Sequence, residues 1–357
     1  MPCKVLACDP EEPDPRVVRE AASVVRRGGL VAFPTETVYG LGADTFNEAA
    51  VLGIFRAKGR PPDNPLIVHI ASMDDFWLVA RSVPESAWRL AERAWPGPLT
   101  IVVPRDPRVP RSVTAGLDSV AVRMPAHPVA LELIKASETP IAAPSANISG
   151  RPSPTRAEHV VSDLCDRIDL VIDGGETFMG VESTIIDFTR DPPVLLRPGP
   201  YPVDKVEEII GSKVIVTNQA RGFGEADRPL APGMKYKHYS PDTPLVLVEY
   251  TGDLEELVES VRSHVARALK EGKRPAILAS DETRSRYRDL EERGAKVLSM
   301  GSRRSLAVVA RRLYHGLRLV DEIGVDLAVV EGYPEEGIGL AIMNRLRKAA
   351  MTFPVTT

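Results

Sequence analysis

DSVAVRMPAHPVALELIKASETPIAAPSAN, residues 118–147, changes its hydrophobic period twice. SVAVRM alternates as a half-buried strand does, the stretch 128–136 repeats apolar residues at helical spacing behind Pro128, and PIAA is a short apolar run that reads as a second strand. The same alternation extends outward in both directions. Toward the N-terminus it predicts a helix over 16–27, capped by Asp14 and stopped by Gly28-Gly29, a strand LVAF, a helix near 47–57, a strand over 66–70, a helix over 85–94 and a strand over 99–103. Toward the C-terminus it predicts a helix over 156–164, strands over 169–172, 184–188 and 194–196, and a short helix and strand within 204–216. Several strands are neighbours in sequence without an intervening helix, which predicts an α/β domain on a mixed sheet over residues 1–216.

The segment 217–244, TNQARGFGEADRPLAPGMKYKHYSPDTP with its glycines, prolines and polar residues, is a linker. Connections beyond about 12–15 residues usually carry a function, so this one is expected to be a lid. From 245 to 357 the rhythm becomes regular: LVLVEY, PAILAS, AKVLSM and DLAVVEG alternate with helices over 253–271, 281–293, 303–323 and 338–350. That order predicts a small Rossmann-like parallel α/β domain.

Composition bounds the function. The 357 residues, 43% hydrophobic and 26% charged, suit two ordinary globular domains. A net charge of −4 argues against a general nucleic-acid footprint. The start of the chain has no cationic-then-apolar leader and no apolar run is long enough to span a bilayer, so a cytoplasmic protein without membrane attachment is expected. Cys3, Cys8 and Cys165 have neither zinc-like spacing nor a disulfide framework, in keeping with a reducing compartment. The 32 prolines hint weakly at a thermophilic source.

Polar and cationic residues recur where the first domain's strands end. Thr35 and Thr37 follow LVAF, Ser119 and Arg123 lie on SVAVRM, Ser145 and Asn147 follow PIAA, and Arg197 closes VLLR. In extended chain, alternate residues share a face, so these side chains can converge on one ligand. Lys58 and Arg60, in KGRPPDNPL, have the same spacing and await an anion. GGETFMGVES, 174–183, places glycines 174, 175 and 180 before Ser183-Thr184 and could form a backbone nest for an anion, but Val181 stands where a phosphate loop needs lysine. Thr155 and Glu158 make a capping-box pattern with Ser153 just ahead of it. GIGLAI lacks the third glycine of a dinucleotide fingerprint, and the six histidines form no HExxH pair, so no built-in transition metal is expected.

AFPTETVYGLGAD, KGRPPDNPLIVHI, WPGPLT, DSVAVRMPAHP, PIAAPSANISGRPSPT, GVESTIID and LLRPGP, in this order, resemble the YrdC-type threonylcarbamoyl-AMP synthases, and PGMKYKHYSP with the α/β tail resembles their long, two-domain form. The resemblance implies a twisted mixed sheet with a concave cavity. It also implies a reaction in which L-threonine, bicarbonate and ATP give threonylcarbamoyl-AMP and pyrophosphate, for the threonylcarbamoyl modification of adenosine in tRNA by downstream transfer proteins. By motif correspondence Thr37, His69, Arg123, Ala143 and Ser183 are expected to contact threonine. Arg60, Asn64, Ser119, Ser145, Ser153 and Arg197 are expected on the nucleotide, with Lys58, Thr35 and Asn147 in the same signatures and Tyr236 in the closing segment. Mg²⁺ is expected to arrive with ATP, held by phosphates and water. The rival reading is a concave module that holds RNA or nucleotide without chemistry, but 5% aromatic residues leave few stacking platforms for single strands.

Overall fold

A computed structural model of the chain describes residues 3–224, 230 and 238–350. It divides into two compact units: 1–149 with 153–220 and 224–236, and 237–357 with 150–152 and 221–223. Among the described residues no helix is long and apolar enough to cross a membrane.

The first unit runs β1 (Lys4–Ala7), α1 (Pro15–Arg26), β2 (Val31–Phe33), β3 (Gly40–Asp44), α2 (Glu48–Lys58), β4 (Ile67–His69), α3 (Phe76–Val79), α4 (Glu85–Ala94) and β5 (Leu99–Pro104). It continues through β6 (Ser119–Arg123), α5 (Pro128–Ser137), β7 (Ile141–Ala143), α6 (Ala157–Leu164), β8 (Leu170–Asp173), β9 (Thr184–Asp187), β10 (Val194–Arg197), α7 (Val203–Ile210) and β11 (Ile215–Val216). The strands form an eleven-stranded mixed sheet in the order β1-β8-β2-β3-β7-β4-β6-β5-β9-β10-β11. Asp14 caps α1 by accepting from the Arg16 N–H, and Asn47 caps α2 by accepting from Ala50. α1 and α5 cover one part of the sheet, where Ala21, Ala22 and Val25 meet Val129, Leu133 and the strand residues Phe33, Ile141 and Ile172.

β1, β3 and α3 are additions to the elements read from sequence. β3 carries two glycines because the Phe33 ring lies across it: a Cβ at Gly42 would stand 2.8 Å from that ring and 2.7 Å from Ile141. The cysteine expectation is overturned. Cys3 and Cys165 form a disulfide across 162 residues with Cα atoms 4.8 Å apart. Parallel pairing of β1 on β8, Lys4 opposite Leu170, brings the two together, a juxtaposition that spacing in sequence does not encode.

In the second unit β12 (Leu245–Val248), β13 (Pro275–Ala279), β14 (Lys296–Ser299) and β15 (Leu327–Glu331) form a parallel sheet in the order β12-β15-β13-β14. Helices α8 (Leu254–Lys270), α9 (Arg288–Glu292), α10 (Leu306–Glu322) and α11 (Gly339–Ala350) connect and close it. The expected helix over 281–293 is instead a 3₁₀ turn, Arg284–Tyr287, followed by the short α9. Here the buried Glu331 carboxylate accepts from the Ser280, Thr283 and Tyr287 hydroxyls, and satisfying it outweighs regular helix.

Candidate active site

Register places the strand-borne candidates on one face of the first sheet. His69 pairs with Arg123 and Ile67 with Ala121 across β4 and β6, and Ile67 pairs with Ala143 across β4 and β7. Alternation then puts Ser119, Ala121 and Arg123 on the same side as Ile67, His69 and Ala143. Ile67, Val102, Ala121, Ile185, Val194 and Leu196 form an apolar floor on this part of the sheet, and Leu230 of the linker packs against it.

Arg123 organises one end of that face. It is buried; its Nη1 donates to Thr37 Oγ1 at 2.9 Å, its Nε to the Gly97 carbonyl at 3.3 Å, and its Nη2 lies 2.6 Å from Glu36 Oε1. Thr35 Oγ1 and Thr37 Oγ1 are 2.8 Å apart, so the two threonines and the arginine form one chain of polar groups. His69 is buried beside them, its Nδ1 3.2 Å from the Ile67 carbonyl and its ring edge-on to Phe33. Burial first, and the Arg123 charge second, push its pKa down to about 3.

That shift is a stability statement. The folded pKa lies below the unfolded value of 6.5, so the contribution is complete above pH 6.5 and is lost as pH falls toward 3. Unfolding followed by chemical denaturant should show a stability loss of about 2–3 kcal/mol between pH 6.5 and 4.5 that His69→Asn abolishes. An unchanged pH slope in the variant would place the titrating group elsewhere.

A second cluster surrounds Ser183. Its hydroxyl is 2.7 Å from Thr100 Oγ1 and accepts from Arg197 Nη2 at 3.1 Å, while Arg197 Nε donates to the Ser183 carbonyl. Gly199 is obligatory here, because a Cβ would stand 2.2 Å from the Thr184 nitrogen. Ser153 Oγ donates to Glu182 Oε1 at 2.6 Å. Arg60 is buried, donates Nη2 to the Asn64 carbonyl and lies 5.9 Å from the Phe55 ring centroid. The Asn64 side-chain amide is fully buried with neither its oxygen nor its nitrogen hydrogen-bonded, an arrangement that calls for a ligand. Ser145 bridges to Gly40, and Asn147 Nδ2 donates to the Ile148 carbonyl.

The reading of the KGR cations as a pair in extended chain does not hold. Lys58 is the last residue of α2, and Gly59, at φ 61°, caps the helix in the left-handed region. Its ammonium is buried and donates to the Ser145 and Asn147 carbonyls at 2.5 and 2.6 Å, so it shapes the SAN loop. Burial and then the Arg60 charge hold its pKa well below the ordinary lysine value, against Asp163 and Glu182. Nor do the glycines of GGETFMGVES form an anion nest. The N–H groups of Thr177, Met179 and Gly180 donate to the carbonyls of Thr155, Glu36 and Thr37, and that of Gly174 to Tyr39 Oη, so the loop is a clasp on the PTET segment. The Thr155 capping box is absent too: α6 starts from Arg156 without a side-chain cap, and the Thr155 N–H donates to His159 Nδ1. Tyr236 lies outside the described residues.

Sequence reading passed over Glu36, Glu182 and Thr100. The signal for the first two was present, since each is a carboxylate inside a quoted motif, PTET and GVES. Thr100 had none, because its pairing with Ser183 depends on the parallel register of β5 and β9.

Two family models cover the chain: "Telomere recombination" matches residues 23–199 and "Threonylcarbamoyl-AMP synthase, C-terminal domain" matches residues 202–351. The threonylcarbamoyl-AMP synthase of Pyrococcus abyssi is 50% identical over 93% of this chain and 94% of its own length. That of Bacillus subtilis is 46% identical over 94% and 93%. The crystal structure of P. abyssi Sua5 complexed with L-threonine superposes with a TM-score of 0.89 at 47% identity, covering 97% of each chain. With both of its units matched, the chain belongs to the threonylcarbamoyl-AMP synthase family in its two-domain form, enzymes of the nucleotidyl-transfer type.

Proposed function

We propose that this chain joins L-threonine, bicarbonate or CO₂, and ATP into threonylcarbamoyl-AMP and pyrophosphate, and that cytoplasmic transfer proteins then carry the threonylcarbamoyl group to tRNA. The observation that carries this reading is the Arg123 cluster: a buried guanidinium, fixed from Thr37 and Gly97, is a fork of the kind an amino-acid carboxylate fits. The relative solved with L-threonine bound supports it. His69, Ala143 and Ser183 border the same face and complete the threonine site.

On the nucleotide side, Arg60 and Arg197 answer the phosphates, and Asn64, Ser119, Ser145, Asn147 and Ser153 supply polar contacts. Lys58 acts through the loop whose carbonyls it holds. The carbamate oxygen of carboxylated threonine attacks the α-phosphorus and pyrophosphate leaves, so positioning and charge stabilisation suffice without a protein nucleophile. Magnesium enters on the phosphate oxygens of ATP; the donor set of this site is mainly cationic and hydroxylic, which suits an ion held by the nucleotide and water. The linker that bears Tyr236 acts as a lid, supported by Leu230 seated on the apolar floor, and shields the labile carbamate from water.

The test is exchange of labelled pyrophosphate into ATP with threonine and bicarbonate each present or omitted. Exchange should require both, and Arg60→Ala should lower it at least about 100-fold. Absence of exchange with ATP binding intact would favour a nucleotide-holding module without chemistry.

A further inference from the structure

Glu36 is at odds with the usual treatment of buried carboxylates. Its side chain is 9% exposed, and neither carboxylate oxygen accepts an aligned hydrogen bond, although Arg123 Nη2 stands 2.6 Å away as a charge contact. Buried carboxylates ordinarily collect donors, so this one has acceptor capacity reserved for a ligand. The ligand's chemistry follows from its neighbour. An α-amino acid whose carboxylate binds Arg123 carries its ammonium one carbon away, and Glu36 is the carboxylate paired to that same guanidinium.

That ammonium must lose a proton before its nitrogen can form a bond to carbon. His69, the nearest imidazole by register, is kept neutral and weakly basic by burial and by Arg123. Thr35 and Thr37 offer hydroxyls, and Arg123 is a cation. His127, which precedes α5, is half-buried, and its Nδ1 accepts from the Val129 N–H at 3.2 Å, leaving the proton of the neutral ring on Nε2. Its ring packs at the base of the PTET segment: a Cβ at Gly174 would meet both Pro34, at 2.8 Å, and His127 Cε1, at 3.7 Å. Burial lowers the proton affinity of His127, and the Glu36 charge raises it.

We propose that Glu36 takes a proton from the α-ammonium of the bound amino acid and that His127 relays it to solvent, taking it on Nδ1 as the Val129 N–H lets go and giving up its Nε2 proton, an assignment that rests on the function given above. The amine lone pair then forms the nitrogen–carbon bond to bicarbonate. The bicarbonate hydroxyl departs as water with the second amine proton, and the carbamate remains. One ammonium and one bicarbonate thus yield one carbamate, one water and one proton, and that proton is the one Glu36 passes on. On substrate binding the carboxylate of the amino acid takes Arg123 Nη2, and Glu36 turns to the ammonium.

The experiment is the pH dependence of threonylcarbamoyl-AMP formation at subsaturating threonine, for wild type, Glu36→Gln and His127→Asn, with ATP binding measured for each. Glu36→Gln should be about 100-fold slower at pH 7 and should gain about tenfold per pH unit until free threonine itself loses its proton, while the wild type stays nearly level. His127→Asn keeps an acceptor for the α5 N-terminus, and should be about tenfold slower and recover with added imidazole. A Glu36→Gln profile that parallels the wild type, lowered or not, overturns the proposal. Should Glu36→Gln lose ATP binding through misfolding, His127→Asn decides: imidazole rescue supports the relay and an unrescued loss refutes it. A wild type that forms no product at any pH would remove the function and this assignment together, whereas product formation with parallel profiles removes the assignment alone.

Discussion

Arg123→Lys is expected to lower kcat/KM for L-threonine about 1000-fold while leaving ATP binding within about twofold. The guanidinium points three ways at once, to Gly97, Thr37 and Glu36, from a side chain that is 4% exposed. A lysine ammonium has one centre and a longer reach to any second partner, so it cannot hold the threonine hydroxyl and still present a planar pair of N–H groups to a carboxylate. It also leaves Glu36 or the Gly97 carbonyl without its contact in a buried site. Breaking a buried, hydrogen-bonded charge pair costs about 2–5 kcal/mol, and about 4 kcal/mol is a factor of 1000. ATP binding is the control, because the groups proposed for the phosphates, Arg60 and Arg197, are held by hydrogen bonds that they donate to Asn64 and Ser183. If Arg123→Lys kept more than about a tenth of the threonine-dependent activity, the carboxylate would be held elsewhere.

The strands and helices that bury a continuous apolar face were readable because periodicity records burial. β5, β6, α4, α5 and the parallel strands of the second unit lie close to where their patterns put them. β3 was not readable, since glycine has no side chain to alternate and its presence is explained by a Phe33 ring packed across from β2. β1 was missed for the opposite reason: it is an exposed edge strand whose residues KVLA bury little. Within the site, alternation along strands foresaw that Thr37 and Arg123 face one ligand, and the two are hydrogen-bonded; His69 and Ala143 entered by motif correspondence alone, and register puts both on the Arg123 face. What alternation cannot supply is the partner of each group. That Lys58 ends a helix and serves two carbonyls, that Thr100 meets Ser183, and that Ser153 meets Glu182 are all consequences of chain segments about 30 to 90 residues apart meeting in space.

Reduction of the Cys3–Cys165 bond should destabilise the first unit by about 3–5 kcal/mol. The bond closes a loop of 162 residues, and the entropy that a cross-link removes from the unfolded chain grows with loop length. The folded side of the balance points the same way. Among the described residues β1 pairs with β8 alone, at the end of the sheet, and three of its four residues are exposed, so little apolar burial holds it in place. Without the bond, the Lys4–Ala7 amides should exchange with solvent deuterium much faster than those of β8, which has β2 on its other side. Cys8 offers no ready route for exchange: it is buried, and burial pushes its thiol pKa up, which suppresses the thiolate that attacks disulfides. Guanidinium unfolding of the chain with and without reductant, set beside Cys3→Ser with Cys165→Ser, measures the effect directly. The reduced protein and the double variant should share one lowered midpoint, and three titratable thiols in the unreduced, denatured protein would show that the bond does not form.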